Sequence, residues 1–177
     1  NGASRFKIGL LGPEHTRSDG YKSSSSRGMN AAGYVTGTST RYDGGSSELG
    51  TSSWLFDGVT TTEIGLIGPE HTRTDGYRQS EAEYLNEAGH VAGFSSRYHG
   101  GSESLGRSVW FYDGASTINI GLTGPEHTRN DGYQHSEIWV YAPLDNEGRV
   151  AGLSHRFSDN PFVGYSTWLF NGTANVE

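Results

Sequence analysis

Gly12-Pro13-Glu14-His15-Thr16-Arg17-Ser18-Asp19-Gly20-Tyr21 is the stretch that decides the fold, because the chain repeats it twice. It returns at 68–77 and at 124–133, and only one of its positions varies. A shorter anchor, Ile8-Gly9-Leu10, recurs after 56 residues at 64–66 and after another 56 at 120–122. Self-similarity at a fixed period of this length is typical of repeat architectures. The sequence therefore predicts one domain, 1–177, made of three repeats.

Each repeat divides into four predicted strands, which in the second repeat cover Thr61–Ile67, Glu81–Asn86, His90–Tyr98 and Arg107–Tyr112. Gly89 closes the tight turn between the middle two, since glycine accepts the positive φ of such turns. Four antiparallel strands per unit are typical of a propeller blade. We therefore predict an all-β fold of three four-stranded, β-propeller-type blades. The predicted segments are a closing-strand start at 1–7 and repeats at 8–63, 64–119 and 120–177.

The core is expected to come from aromatic residues, because only 32% of the chain is hydrophobic. The 10 Tyr, 7 Phe and 4 Trp residues each bury a large area when packed. Trp54, Trp110 and Trp168 take the same place in the fourth strand of each repeat, so we predict that they are core residues.

Three blades are fewer than the usual minimum of four for a propeller ring. We therefore expect the fold to be completed by strand exchange or by oligomerisation. Two chains would give six blades, whereas head-to-tail pairing without closure would give a polymer. A third alternative is that the chain is a fragment of a longer array.

Charge and composition exclude several classes of partner. A formal net charge of −7 argues against nucleic acid and against an anionic membrane surface. No apolar run reaches the roughly 18 residues that membrane insertion requires. The chain has no cysteine, which excludes disulfides and thiolate metal sites.

The hairpin and final strand carry a resemblance to a known family. Asn86-Glu87-Ala88-Gly89-His90-Val91-Ala92-Gly93 and Trp110-Phe111-Tyr112-Asp113-Gly114 resemble the N-x-x-G-x-V-x-G and W-x-x-D-G motifs of bacterial extracellular HAF-type repeats. Those repeats are similar to propeller blades. The resemblance implies an extracellular or cell-surface location, and it carries no defined activity.

The repeated motif is the candidate ligand site. Carboxylates accept hydrogen bonds from sugar hydroxyls, arginine donates to them, and tyrosine stacks on the apolar face of a pyranose. Three such loops predict a lectin-like, multivalent carbohydrate binder. The alternative is structural: the same charges would fix each loop to its neighbours. The candidate residues are Glu14, His15, Arg17, Asp19, Tyr21, Glu70, His71, Arg73, Asp75, Tyr77, Glu126, His127, Arg129, Asp131 and Tyr133.

Catalysis and metal binding are less well supported. Hydrolases usually assemble one site from dissimilar residues, so three identical loops predict a non-enzymatic protein. Acidic loops make calcium possible, but no EF-hand pattern occurs and no cofactor is predicted. Zinc would need His15, His71 and His127 to meet at a common axis.

The third repeat departs from the other two between 136 and 146. Its apolar run Ile138-Trp139-Val140-Tyr141 suggests a partner contact through Ile138, Trp139 and Tyr141. The alternative is a better-buried second strand. Two functions thus remain open: a glycan binder, or a structural subunit that assembles head to tail by sharing strands. Arg41, Arg97 and Arg156, which end the third strands, are expected to be stacked or paired surface residues.

Overall fold

The structure, a computed structural model, describes residues 7–141 and 144–176. This part of the chain forms 12 strands and three 3₁₀ turns. The strands are β1 (Ser24–Met29), β2 (Val35–Tyr42), β3 (Glu48–Phe56), β4 (Thr61–Ile64), β5 (Arg78–Leu85), β6 (Val91–Ser96), β7 (Gly106–Tyr112), β8 (Thr117–Asn119), β9 (Gln134–Ile138), β10 (Val150–Phe157), β11 (Phe162–Phe170) and β12 (Asn175–Val176). The 3₁₀ turns are Pro13–His15, Pro69–His71 and Pro125–His127. The all-β prediction is confirmed.

The four strands predicted in the second repeat are all present, as β4 to β7. Gly89 has φ of 85° in the turn between β5 and β6, as expected from the sequence. The pairing differs from the prediction, because β4 lies antiparallel to β3 of the preceding repeat, with Thr61 opposite Phe56. The predicted repeat boundary at 63/64 therefore falls inside β4, a strand that belongs to the sheet of the first repeat.

The prediction of propeller-type blades is wrong at the level of the whole sheet, which is open and mixed. Its order is β1-β2-β3-β5-β6-β7-β9-β10-β11-β12, with β4 on β3 and β8 on β7. Short parallel pairs, Gly50 opposite Arg78 and Gly106 opposite Gln134, join one repeat to the next. Pairing therefore proceeds in one direction and leaves β1 and β12 at opposite ends. The predicted closing strand at 1–7 lies, apart from Lys7, outside the described residues.

The core lies within and between the repeats. Trp54, Trp110 and Trp168 are 1%, 0% and 1% exposed, which confirms their prediction as core residues. Each packs on a glycine of the adjacent strand; a Cβ on Gly37 would lie 2.3 Å from the Trp54 ring. Leu55 of the first repeat packs in one apolar cluster with Trp110 of the second. Successive repeats therefore share core residues, as stacked repeat units do.

Nothing in the described part of the chain forms a helix long and apolar enough to cross a bilayer.

Candidate functional site

Each motif loop begins with a 3₁₀ turn that proline initiates. In the first loop, the backbone N–H of His15 donates to the Gly12 carbonyl at 3.0 Å, and Thr16 Oγ1 donates to the same oxygen at 2.9 Å. The other two loops repeat this pattern. The turn directs the histidine side chain inward, and His15, His71 and His127 are all buried. The imidazoles of the motif therefore lie buried beneath the loop and are not surface groups.

The arginine, aspartate and tyrosine of the motif satisfy one another locally. Arg17 binds Asp19 through both Nε and Nη2, and Asp19 Oδ1 accepts the backbone N–H of Tyr21 at 3.0 Å. The Arg17 guanidinium lies over the Tyr21 ring, 4.9 Å from its centre. The second and third loops contain the same triad, formed by Arg73, Asp75 and Tyr77 and by Arg129, Asp131 and Tyr133.

In the first and third loops, the triad also lowers the pKa of the aspartate. The hydrogen bond from Arg17 lowers the pKa of Asp19 to about 2, and Arg129 lowers the pKa of Asp131 to about 2. Both side chains are thus fixed as anions and as acceptors at neutral pH. A carboxylate with so low a pKa is a poor general acid.

The glutamate of the motif pairs with the arginine that ends the third strand of its own repeat. Glu14 accepts from Arg41 at 3.2 Å, Glu70 from Arg97 at 3.3 Å and Glu126 from Arg156 at 2.7 Å. The prediction that these arginines are paired is confirmed. Their expected surface position is wrong for Arg41 and Arg97, which are buried, and holds only for Arg156.

Arg41 is buried because the next repeat covers it. Its Nη1 donates at 2.7 Å to the carbonyl of Gly76, which belongs to the second motif loop. Gly76 itself lies against Leu49, and the Tyr77 ring lies against Gly50. At the contact between the second and third repeats, the N–H of Gln134 donates to the Leu105 carbonyl at 3.1 Å. The second and third motif loops therefore rest on the repeat that precedes them.

Two of the three buried histidines are held by hydrogen bonds in the interior. His71 Nε2 lies 3.0 Å from Ser108 Oγ, and His127 Nδ1 lies 2.9 Å from the carbonyl of His155. Burial, with a smaller contribution from the charge of Arg97, lowers the pKa of His71 to about 4. Each histidine sits under its own loop. No three His, Asp or Glu side chains in the described residues are grouped to hold a metal ion, so the meeting at an axis that zinc needs is absent there.

Each set of five predicted residues is thus brought together within one loop, and the three sets remain separate. Glutamate and aspartate are exposed, arginine is partly exposed and histidine is buried. Tyr21 is 52% exposed, whereas Tyr77 and Tyr133 are partly covered. The cationic and anionic groups of each loop already bind each other, so part of their hydrogen-bonding capacity is used within the loop.

The predicted partner contact in the third repeat divides into two parts. Ile138 is buried in the apolar cluster around Trp168, at the end of β9. Trp139 and Tyr141 lie beyond the strand and are 42% and 88% exposed. The alternative of a better-buried strand is therefore right for Ile138 alone.

Sequence reasoning missed a group of aromatic residues on the outer face of the third repeat. The His155 ring lies 4.5 Å from His135, 5.0 Å from Phe162 and 5.3 Å from Tyr165. Phe162 and Tyr165 are 49% and 58% exposed. The sequence feature that could have indicated this group is a difference between repeats. His155 and Tyr165 lie opposite each other in the third repeat, whereas the second repeat has Ser96 and Arg107 at these positions.

No protein-family model, no curated protein and no solved structure matches this chain. Its function is therefore argued from the geometry of the repeats.

Proposed function

We propose that this chain is a non-enzymatic structural protein, a stack of β-repeats in which the motif loops act as the joints between units. The observation that carries the proposal is the contact of Arg41, which binds Glu14 of its own loop and the Gly76 carbonyl of the next loop. Buried charge-assisted hydrogen bonds of this kind stabilise a fixed geometry. The identity of the three loops then follows from the packing problem that each unit repeats.

The test compares two neighbouring substitutions in the second loop. Asp75→Ala removes the acceptor for Arg73 and for the Tyr77 N–H, so we expect the free energy of unfolding to fall by about 1 kcal/mol. Thr74→Ala changes the exposed variable position and is expected to be neutral. Urea unfolding measures both, and a glycan array is run in parallel. Unchanged stability of Asp75→Ala together with loss of a glycan signal would favour a binder instead.

A lectin-like role is a second candidate, and the third loop favours it. Arg129, Asn130, Asp131 and Asn160 line a shallow cleft of about 460 Å³ there. Amide and carboxylate oxygens suit the hydroxyls of a sugar. Calorimetric titration should then give one site per chain, lost in Asn160→Ala, rather than three equivalent sites. The extracellular location and the possible calcium also stay predictions, and titration with calcium tests the latter.

A further inference from the structure

We propose that a second copy of this chain docks head to tail, with its first motif loop on the free edge of β11 in the third repeat. The proposal rests on the structural function above and names its partner. It holds that the joint seen twice within the chain is formed a third time between chains. Both halves of that joint are uncovered in the described residues, as the following contacts show.

The accepting half is marked by Gly164. Its counterparts Gly50 and Gly106 lie beside the incoming strand of the next repeat, where an added Cβ would come within 2.0 Å of the Arg78 carbonyl and 1.8 Å of the Gln134 carbonyl. These positions need glycine because another backbone passes there. At Gly164, by contrast, an added Cβ would meet no atom within 4 Å among the described residues beyond its two chain neighbours. The third repeat thus has the glycine of the joint and open space where the next backbone would run.

The apolar residues of this face are also exposed where their counterparts in the first two repeats are covered. Leu55 and Phe111, which occupy one position in the first two repeats, are 5% and 2% exposed, whereas their counterpart Leu169 is 42% exposed. Leu49 and Leu105 touch the glycine of the following motif loop, and their counterpart Val163 is 57% exposed. An apolar surface that is buried in two equivalent positions and open in the third indicates a docking face.

The donating half is the first motif loop with β1. Strands β5 and β9 contain buried residues, but none of the residues of β1 is buried. Tyr21 at the end of the loop is more than half exposed, and Met29 at the end of β1 is 75% exposed, although the corresponding Leu85 packs on an inter-repeat cluster. This half is more polar than its counterparts, since Ser26 replaces Ala82 and Ile138.

An ion pair of the first internal joint would have a counterpart between copies, which favours a second copy over an unrelated apolar partner. Arg78 of the second repeat lies 3.6 Å from Glu14 of the first. Lys22 occupies the position of Arg78 in the first loop, and Glu126 occupies the position of Glu14 in the third. In the proposed joint, Lys22 of one copy therefore faces Glu126 of the other. Arg156, now half exposed, would reach the Gly20 carbonyl as Arg41 reaches that of Gly76.

One contact of the internal joint is not available between copies. Asn30 and Asn86 each donate a side-chain amide to the next repeat, but Asp145 stands in this position in the third repeat. Its carboxylate accepts hydrogen bonds from the N–H groups of Glu147 and Arg149 instead. The joint between copies is therefore weaker than the internal one, and the assembly is expected to be reversible and to grow with concentration.

The experiment is analytical ultracentrifugation of the full chain over a range of concentrations. The wild type should form dimers and longer oligomers. Val163→Asp buries a charge in the joint and should weaken association by about tenfold or more. Val59→Asp is the matched control, because Val59 is 85% exposed on a turn that every repeat leaves open. A wild type that stays monomeric up to about 1 mM would overturn the proposal.

Mixing two variants tests the head-to-tail arrangement itself. Tyr21→Ala damages the donating half and Val163→Asp the accepting half, so each variant alone should associate weakly. An equimolar mixture should form a one-to-one heterodimer, because each variant retains the half that the other lacks. A mixture no more associated than its components would overturn the proposal, since it would indicate a face-to-face dimer or none.

Thermal unfolding of each variant accompanies these measurements, and Leu169→Lys replaces Val163→Asp if the latter lowers the stability. A destabilised Asp75→Ala in a chain that never associates would leave the structural function in place and refute only the docking. Association that persists while Asp75→Ala is fully stable would leave the docking in place and refute only the contribution of Asp75 to the stability of its loop.

Discussion

The side-chain amide of Asn30 donates to the backbone carbonyl of Asn86, the residue 56 positions further along the chain, at 2.9 Å. The Asn86 amide donates in turn to the Asp145 carbonyl at 2.7 Å. Asn30 and Asn86 are nearly inaccessible to solvent. The hairpin turns of the three repeats are therefore connected by a ladder of buried amides. A buried donor in such a ladder is costly to remove, because its acceptor is left unpaired.

Asn86→Asp should destabilise the fold by about 1 to 3 kcal/mol, because the carboxylate cannot donate to the Asp145 carbonyl and is buried beside it. Urea unfolding with tryptophan fluorescence measures this loss. Asp145→Asn is the matched control: its side chain is partly exposed, can keep accepting the N–H of Arg149 and loses only a surface ion pair with that residue, so we expect a change of less than about 1 kcal/mol. Equal losses of unfolding free energy in the two variants would contradict a stabilising role of the buried amide ladder.

The close contact between Gly93 and Trp110 gives a second prediction. A Cβ on Gly93 would lie 2.1 Å from the Glu81 carbonyl and 2.5 Å from the Trp110 ring. Gly93→Ala should therefore cost about 3 kcal/mol, since both neighbours are fixed in the core. Gly12→Ala is the control, because Gly12 has φ of −63° and no atom within reach of the added methyl group. A Gly93→Ala protein as stable as Gly12→Ala would refute this packing.

Stability should fall as the pH is lowered from about 6.5 to about 4. Burial lowers the pKa of His71 from 6.5 to about 4 and lowers that of His15 as well. In this window the unfolded chain binds more protons than the folded one, so the free energy of unfolding decreases with decreasing pH. Burial raises the pKa of Glu83, which opposes the trend.

The measurement is the urea midpoint at pH 7 and at pH 4.5, for the wild type and for His71→Asn. The variant lacks the titrating group, so its midpoint should shift less between the two pH values. An identical shift in both proteins would exclude His71 as the source of the pH dependence.

Much of this architecture could be predicted from the sequence, because strand signals are local. The Trp110 position, the Gly89 turn and the four strands of the second repeat each follow from patterns within a few residues. The parallel pairs between repeats, such as Gly50 opposite Arg78, could not be predicted in the same way, because no local pattern indicates which strand of the next repeat β3 will meet. The pairing that gives one open sheet therefore had to come from the structure.

In the candidate site, too, contacts between neighbouring residues could be predicted from the sequence, whereas contacts between distant residues could not. The sequence correctly grouped Arg17, Asp19 and Tyr21, which are adjacent in one loop. It did not indicate that Arg41 is buried, because the covering group is the carbonyl of Gly76, 35 residues away. Because every residue type has a backbone carbonyl, the sequence does not show which one accepts a hydrogen bond. The role of the loops as joints therefore could not be deduced from the motif.

Arg41 and Arg156 hold the same place in their repeats and should respond differently to truncation. Arg41→Ala removes a buried guanidinium that serves Glu14 and the Gly76 carbonyl, so we expect a loss of about 2 to 3 kcal/mol in urea unfolding. Arg156→Ala removes an exposed pair with Glu126 and should cost less than about 1 kcal/mol.

The same exposed arginine is expected to matter once a second copy docks. Arg156→Ala should then weaken association several-fold in ultracentrifugation while leaving unfolding nearly unchanged, a combination that a purely local ion pair would not produce. If Arg156→Ala and the wild type associated equally, Arg156 would have no part in a joint between chains. If Arg41→Ala were as stable as Arg156→Ala, the burial of Arg41 under the second loop would carry no energy, and the loops would not be joints.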